Sequence, residues 1–207
     1  MREYNRLSVV LWVFLAGFML IGSLSVSADS GASAMVKNTS ERMLSALESH
    51  RSSIESNPAK IYGLVDQILV PKFDFNMITK AAVGKHWSKA TEAQQKALTE
   101  GFQQVLIRTY AKALLSYSGQ EIRYLPEKPG KSGTVVVPTQ VSEAGGKPVP
   151  IDYRVHKKSG SWKVFDVKID SVSLVSNYRS SFNAQIRKDG IDGLVKRLDE
   201  MNAKGQG

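Results

Sequence analysis

"PVPIDYRVHKKSGSWKVFDVKID", residues 148–170, decides the fold. Its first half alternates: Val149, Ile151, Tyr153 and Val155 fall on one side of an extended chain, and Asp152, Arg154 and His156 on the other. Ser159-Gly160 then reads as a turn. The second half alternates again, with Phe165, Val167 and Ile169 set against Asp166, Lys168 and Asp170. Successive side chains of a strand point to opposite faces, so period two marks a strand buried on one side. Two such strands joined by a two-residue turn form a hairpin, and its strands run antiparallel.

Moving toward the amino end, Ala144-Gly145-Gly146 reads as another turn and "TVVVPTQVSE", residues 134–143, as another strand. Pro138 lacks an N–H, which demotes part of that strand toward an edge or a bulge. "EIRYLPE", residues 121–127, is a further short strand. The expectation is an antiparallel meander of about four strands.

Before Gly119 the period changes. Thr91-Glu92-Ala93-Gln94 fits a capping box, in which Thr91 caps a helix and Gln94 reaches back. Apolar positions then recur by threes and fours at Leu98, Phe102, Val105, Leu106, Tyr110, Ala113, Leu114 and Tyr117. Gly101 inside this helix marks a close helix approach. Asp74 is placed to cap a shorter helix ending at Gly84, and Asn57-Pro58 to open one that Pro71 closes. A weaker helical stripe runs from Met35 to Ile54, after a flexible leader over 29–34. Beyond the hairpin, Val172 to Leu198 carries apolar residues at helical spacing, interrupted at Gly190, and a polar tail follows over 201–207. Helices first, sheet second and helices last make an α+β domain, one sheet covered by helices, over residues 35–200.

The chain has 207 residues, a formal charge of +9 and no cysteine. Arg2 and Arg6, an apolar run from Leu7 to Leu24, and Val26-Ser27-Ala28 have the order of a secretory signal peptide cleaved after residue 28. Cleavage would remove Arg2, Arg6 and Glu3 and lower the charge by one. An uncleaved segment would instead be a membrane anchor. Export without cysteine excludes a disulfide scaffold, so the domain depends on a hydrophobic core. His50, His86 and His156 are too scattered for a zinc-type cluster. The basic balance suits an acidic partner. Export and the lack of any basic run longer than two residues argue against nucleic acid.

Little chemistry is present. G-x-S-x-G, H-E-x-x-H, the P-loop and G-x-G-x-x-G are all absent. Asp166 and Asp170 read as a salt-bridged strand face before an acid–base pair, and His86 as a helix-end residue before a catalytic base. Arg179 is either a phosphate partner, through its two-pronged guanidinium, or a bridge to a sheet carboxylate. An apolar sheet face under amphipathic helices is either a plain core or a cavity wall, and composition leaves that choice open.

Two segments carry a family resemblance. "AVGKHWSKATEAQQKALTEGFQQVLIRTYAKAL" supplies Gly84, Trp87, Gln94, Phe102, Thr109, Tyr110 and Ala111. "VPIDYRVHKKSGSWKVFDVKIDSVSLVSNYRSSFNAQIRKDGIDGLVKRL" supplies Asp152, Tyr153, Trp162, Asp166, Val172, Ser173, Leu174, Tyr178, Arg179, Phe182, Gly190, Ile191 and Leu194. In order, behind a signal peptide, they resemble the MlaC-type periplasmic phospholipid-binding proteins, also called the toluene-tolerance auxiliary family, over about residues 35–200. Ser171 departs from the family's usual Gly before "VSL", which puts the local turn in doubt. Phe165 replaces a commoner Tyr.

The resemblance implies a cone-like sheet and helix fold similar to the nuclear-transport-factor fold, with acyl chains inside and the headgroup toward solvent. It implies a monomeric periplasmic carrier, not an enzyme and without a cofactor. Its cargo would be phospholipid, moved between an outer-membrane lipoprotein–porin complex and an inner-membrane ABC transporter with an MCE-domain subunit, maintaining outer-membrane lipid asymmetry. On that reading the lipid wall comprises Leu106, Tyr110 and Leu114 facing Ile151, Tyr153, Val155, Phe165 and Val167, with Tyr178 and Phe182 from the last helices. Arg179 is the candidate for headgroup or partner docking. Two other readings remain: a small acid–base enzyme on the same fold, needing Asp152 or Asp166 to face inward, and a membrane-tethered adaptor.

Overall fold

The computed structural model describes residues 30–142 and 146–204. The expected signal peptide, most of the Ala144-Gly145-Gly146 turn and the last three residues of the expected tail lie outside the described residues. Elements follow in the order α1 (Ala32–Ser49), α2 (Arg51–Ser56), α3 (Lys60–Ile68), α4 (Phe75–Val83) and α5 (Glu92–Leu115). Then come β1 (Glu121–Tyr124), β2 (Lys128–Pro129), β3 (Val135–Ser142), β4 (Val149–Lys158), β5 (Ser161–Ile169), β6 (Val172–Ser173) and α6 (Leu174–Lys204).

The fold is α+β, helices packed on an antiparallel sheet. The sheet has six strands rather than about four, ordered β1-β3-β4-β5-β6, with β2 also paired to β3. The additional strands, β2 and β6, are two residues each, too short for alternation to reveal. Pro138 lies inside β3, not on an outer strand. Its carbonyl accepts from the Leu125 N–H, just past the end of β1. A residue's N and O point to the same side of a strand, so its missing donor falls in the gap between β1 and β2.

Helix ends follow from local chemistry. Asp74 accepts a hydrogen bond from the Met77 N–H at 3.2 Å, capping α4. At α5 both halves of the capping box are made, Gln94 N–H to Thr91 Oγ1 at 3.2 Å and Thr91 N–H to Gln94 Oε1 at 3.0 Å. A Cβ on Gly101 would stand 3.2 Å from Leu198 Cβ, so this glycine does admit α6 against α5. Gly190, at φ 72°, ψ −174°, breaks α6 into two packed halves. At the amino end α1 already includes Ala32, which is fully buried, so residues 32–34 belong to the domain and not to a leader. At the other end α6 runs to Lys204, through the start of the expected tail.

Apolar side chains gather in three clusters. One joins α4, α5 and α6 around Phe102, Leu98 and Leu194. A second joins α1, α3 and α5 around Ile61, Val65 and Ile107. The third sets Ala32 and Val36 of α1 on Val137, Val155, Val164 and Val167 of the sheet. A single core would close the space between them; here that space stays open.

Candidate functional site: an apolar cavity between sheet and helices

β4 and β5 build the floor, and one irregularity decides which residues face up. Arg154 pairs with Asp166, but Val155 pairs with Val164, so Phe165 is the extra residue of a β-bulge. Val164, Val167 and Ile169 therefore share the cavity side, three apart and then two. Phe165 turns to the other side. There the Arg154 guanidinium lies 4.8 Å from its ring centre, and the His156 ring meets it edge-on at 5.5 Å. Strict alternation places Phe165 on the wall, and the bulge removes it.

The roof comes from α5, α1 and the segment after α3. The cavity between roof and floor measures about 820 Å³. Of the sequence-predicted wall, Leu106, Tyr110, Leu114, Ile151, Tyr153 and Val167 line it. Val155 lies on the same face of β4 but beyond the cavity, fully buried where α1 packs directly on the sheet. Tyr178 and Phe182 form a second layer instead: both rings pack at 4.8 Å on Phe102, which itself lines the cavity. Sequence reasoning missed the contribution of α1 (Met35, Thr39, Met43, Leu44) and of Leu69, Val70, Lys72 and Phe73. The stripe on α1 was legible, but its partner was not.

Exposed lining residues Ser116, Lys147 and Val149 mark where the cavity reaches the surface, at the carboxyl end of α5. Leu115 and Val149, exposed large hydrophobic side chains, stand at this same end, one on α5 and one at the start of β4. Burial within these walls disfavours ionisation of the phenols that line them. Tyr153 shows the effect most: burial, with a smaller contribution from Tyr124, pushes its phenol up to about 12. Burial, with Tyr178 beside it, also raises Tyr110 above its usual value.

Energy decides what such a space means. A sealed void of this volume would cost about 20 kcal/mol at about 24 cal/mol per Å³. That exceeds the whole stability of an ordinary domain, about 5–15 kcal/mol. The space is therefore open to solvent or occupied.

Asp166 reaches the cavity lining and Asp74 does not, and both carboxylates are committed to structural bonds. Asp166, 3% exposed, has Ser173 Oγ at 2.8 Å, the Val175 N–H at 3.3 Å and Arg154 Nη1 at 3.3 Å. Ser173 in turn accepts from the Ser176 N–H, so this carboxylate anchors the start of α6 to β5. The buried Asp74 caps α4 and meets His156 Nε2 at 3.1 Å and Lys158 Nζ at 2.9 Å. Burial opposes its ionisation, but Lys158, the Met77 N–H and His156 outweigh that and hold it below its ordinary 3.8. His86 has its Nε2 buried without a hydrogen-bond partner and does not line the cavity. Arg179 is exposed on α6, its guanidinium lying over Gly84 at the end of α4, outside the cavity lining. It is ion-paired to no sheet carboxylate among the described residues. Among those residues, no group of three or more His, Asp or Glu side chains is placed to hold a metal.

The family described as MlaC protein matches residues 37–200, which contain all the residues that line this cavity except Met35 and Val36 of α1. The chain belongs to the MlaC family. The toluene tolerance protein ttg2D of Pseudomonas putida is 30% identical over 190 residues, spanning 91% of this chain and 86% of that protein. The intermembrane phospholipid transport system binding protein MlaC of Haemophilus influenzae is 22% identical over 203 residues, 95% of each chain. Among solved structures, a phospholipid-binding protein from Ralstonia solanacearum, in complex with a phospholipid, superposes with a TM-score of 0.78 at 38% identity. The match covers 85% of this chain and 99% of that one. Asp170 and Ser171 both adopt positive φ, 47° and 70°, in the two-residue turn between β5 and β6, a conformation that favours glycine.

Proposed function

We propose that this MlaC-family protein is a soluble periplasmic carrier. It holds phospholipid acyl chains in the cavity and moves lipid between the outer and inner membranes, so maintaining outer-membrane asymmetry. The observation that carries the reading is the apolar space of about 820 Å³, too costly to leave as a sealed void and without a free acid–base pair. The phospholipid in the Ralstonia relative supports the same cargo. Burying a CH₂ is worth about 0.8 kcal/mol, so exposing two long acyl chains to water costs roughly 20 kcal/mol. A carrier need only replace bilayer contacts with equally apolar ones.

The basic charge, +9 for the full chain and one less after the expected cleavage, suits encounter with acidic surfaces on an outer-membrane lipoprotein–porin complex and on an inner-membrane ABC transporter with an MCE-domain subunit. Such steering is screened over about 8 Å at physiological salt. Arg179, exposed and away from the lining, belongs to partner docking on this reading and not to the lipid. Mass spectrometry of lipids that co-purify with the folded protein tests the proposal. Phospholipid at near-stoichiometric amounts is the expected result; protein purified without detergent and empty of lipid would refute it.

A further inference from the structure

Two cations line the cavity, Lys72 and Lys147. Lys147 stands at the apolar mouth. Lys72 stands elsewhere, on the short turn Val70–Lys72 that crosses opposite α1. There the cavity adjoins a second, smaller pocket formed by Met35, Asn38, Thr39, Glu41, Arg42 and Lys72, and shares Met35, Thr39 and Lys72 with it. Its two cations are unmatched: among the described residues neither Lys72 nor Arg42 is ion-paired. The one carboxylate of the pocket, Glu41, is turned to Lys37 at 3.9 Å.

The turn that carries Lys72 is fixed on both sides. Lys163 Nζ donates to the Pro71 carbonyl. Phe73 bridges to Val164, and the Asp74 N–H donates to the Val164 carbonyl at 2.8 Å. The contacts of Asp74 with His156 Nε2 and Lys158 Nζ hold the next residue down in turn. Across the gap, Glu127 accepts from the Ser33 N–H at 2.7 Å and pins the start of α1. A half-buried lysine on a rigid turn, at the edge of an apolar space, with the exposed Asn38 and Arg42 one turn of α1 apart lining the same pocket, offers donors and positive charge to an anion.

We propose that Lys72, with Arg42 and Asn38 of α1, receives the phosphate of a glycerophospholipid whose acyl chains occupy the cavity. The inference rests on the carrier reading and adds a place for the headgroup, on the flank between α1 and the Val70–Lys72 turn and not at the Lys147 end.

The test uses the full delipidated protein and three probes: phosphatidylethanolamine, diacylglycerol with the same two chains, and inorganic phosphate. Hydrogen bonds to a charged group are worth about 1.5–3 kcal/mol, so Lys72→Gln should weaken phosphatidylethanolamine binding about tenfold or more. Diacylglycerol binding should not change, Lys72→Arg should retain the affinity, and Arg179→Gln, outside the lining, should resemble the wild type. Equal binding of both lipids by wild type and Lys72→Gln overturns the site and leaves the carrier intact. A loss on Lys147→Gln in place of Lys72→Gln moves the headgroup to the other end and also overturns it. Inorganic phosphate binding alone, as tightly as the lipid and dependent on Lys72, makes this a free-phosphate site and refutes the headgroup assignment. If Lys72→Gln lowers the melting temperature of the delipidated protein, Lys72 is structural and the proposal fails. A wild type that takes up neither lipid overturns the carrier reading itself.

Discussion

Leu106 and Leu198 are both buried leucines in the same apolar cluster, at 8% and 1% exposure, yet truncating them should cost very different amounts. Leu198 stands where α6 meets Gly101 of α5, with no slack: a Cβ there would already lie 3.2 Å from its own Cβ. The helices cannot close over the missing atoms, so Leu198→Ala belongs at the upper end of the usual range, about 4–5 kcal/mol. Leu106 has the cavity on one side. Removing it enlarges a space that already exists and creates no new void, so the loss should be mainly the transfer term, about 2 kcal/mol. The difference corresponds to roughly 5–10 °C in melting temperature for a domain of this size. Urea and thermal unfolding of the delipidated variants measure it directly. Loading with phospholipid should then narrow the gap, because only Leu106→Ala also loses lipid contacts. Equal destabilisation of the two lipid-free variants would refute the reasoning, since it would make the Leu106 site a closed core.

Val167→Glu, on the cavity floor, should fold but exclude acyl chains, because its charge can remain partly solvated; failure of the variant to fold would make this position plain core. Asp74 is held below 3.8 in the folded state, so the unfolded chain takes up its proton first as pH falls. The stability it contributes is complete above 3.8 and is lost as pH drops through the lower folded value, a loss that Asp74→Asn should flatten in urea midpoints measured against pH. Ser171→Gly relieves a left-handed serine and should stabilise by about 1 kcal/mol, read from the same urea curves.

Residues that report on their neighbours along the chain were legible in the sequence. Thr91 and Gln94 need only each other to form a capping box, Asp74 needs only Met77, and the turn at Ser159-Gly160 needs only its two residues. The floor strands were legible through alternation until Phe165, where one added residue changes phase. Nothing in "WKVFDVKID" separates a regular strand from a bulged one, because Val164, Phe165 and Val167 are all apolar and all buried. Tyr178 and Phe182 show another limit. Their spacing predicts a common apolar face correctly, but whether that face meets lipid or Phe102 depends on the depth of α5 behind the cavity. Lys72 was invisible for a third reason: a lysine after a proline looks like any surface lysine until α1 is seen opposite it.

The packing of α6 on α5 has a consequence for the order in which this protein is completed. Gln94 bonds Asp192 and Asn202 bonds the Gly101 carbonyl, contacts that span 98 and 101 residues of chain. A ribosome releases α5 long before α6 exists. Throughout that interval the Leu98 and Phe102 face lacks the cover that α6 gives it, and uncovered faces of this kind are what chaperones bind and aggregates grow from. A premature stop at Leu174 would yield a polypeptide with its sheet complete and this face permanently bare of α6. Such a product should be recognised as a client for degradation, however well its first 170 or so residues satisfy their own local rules.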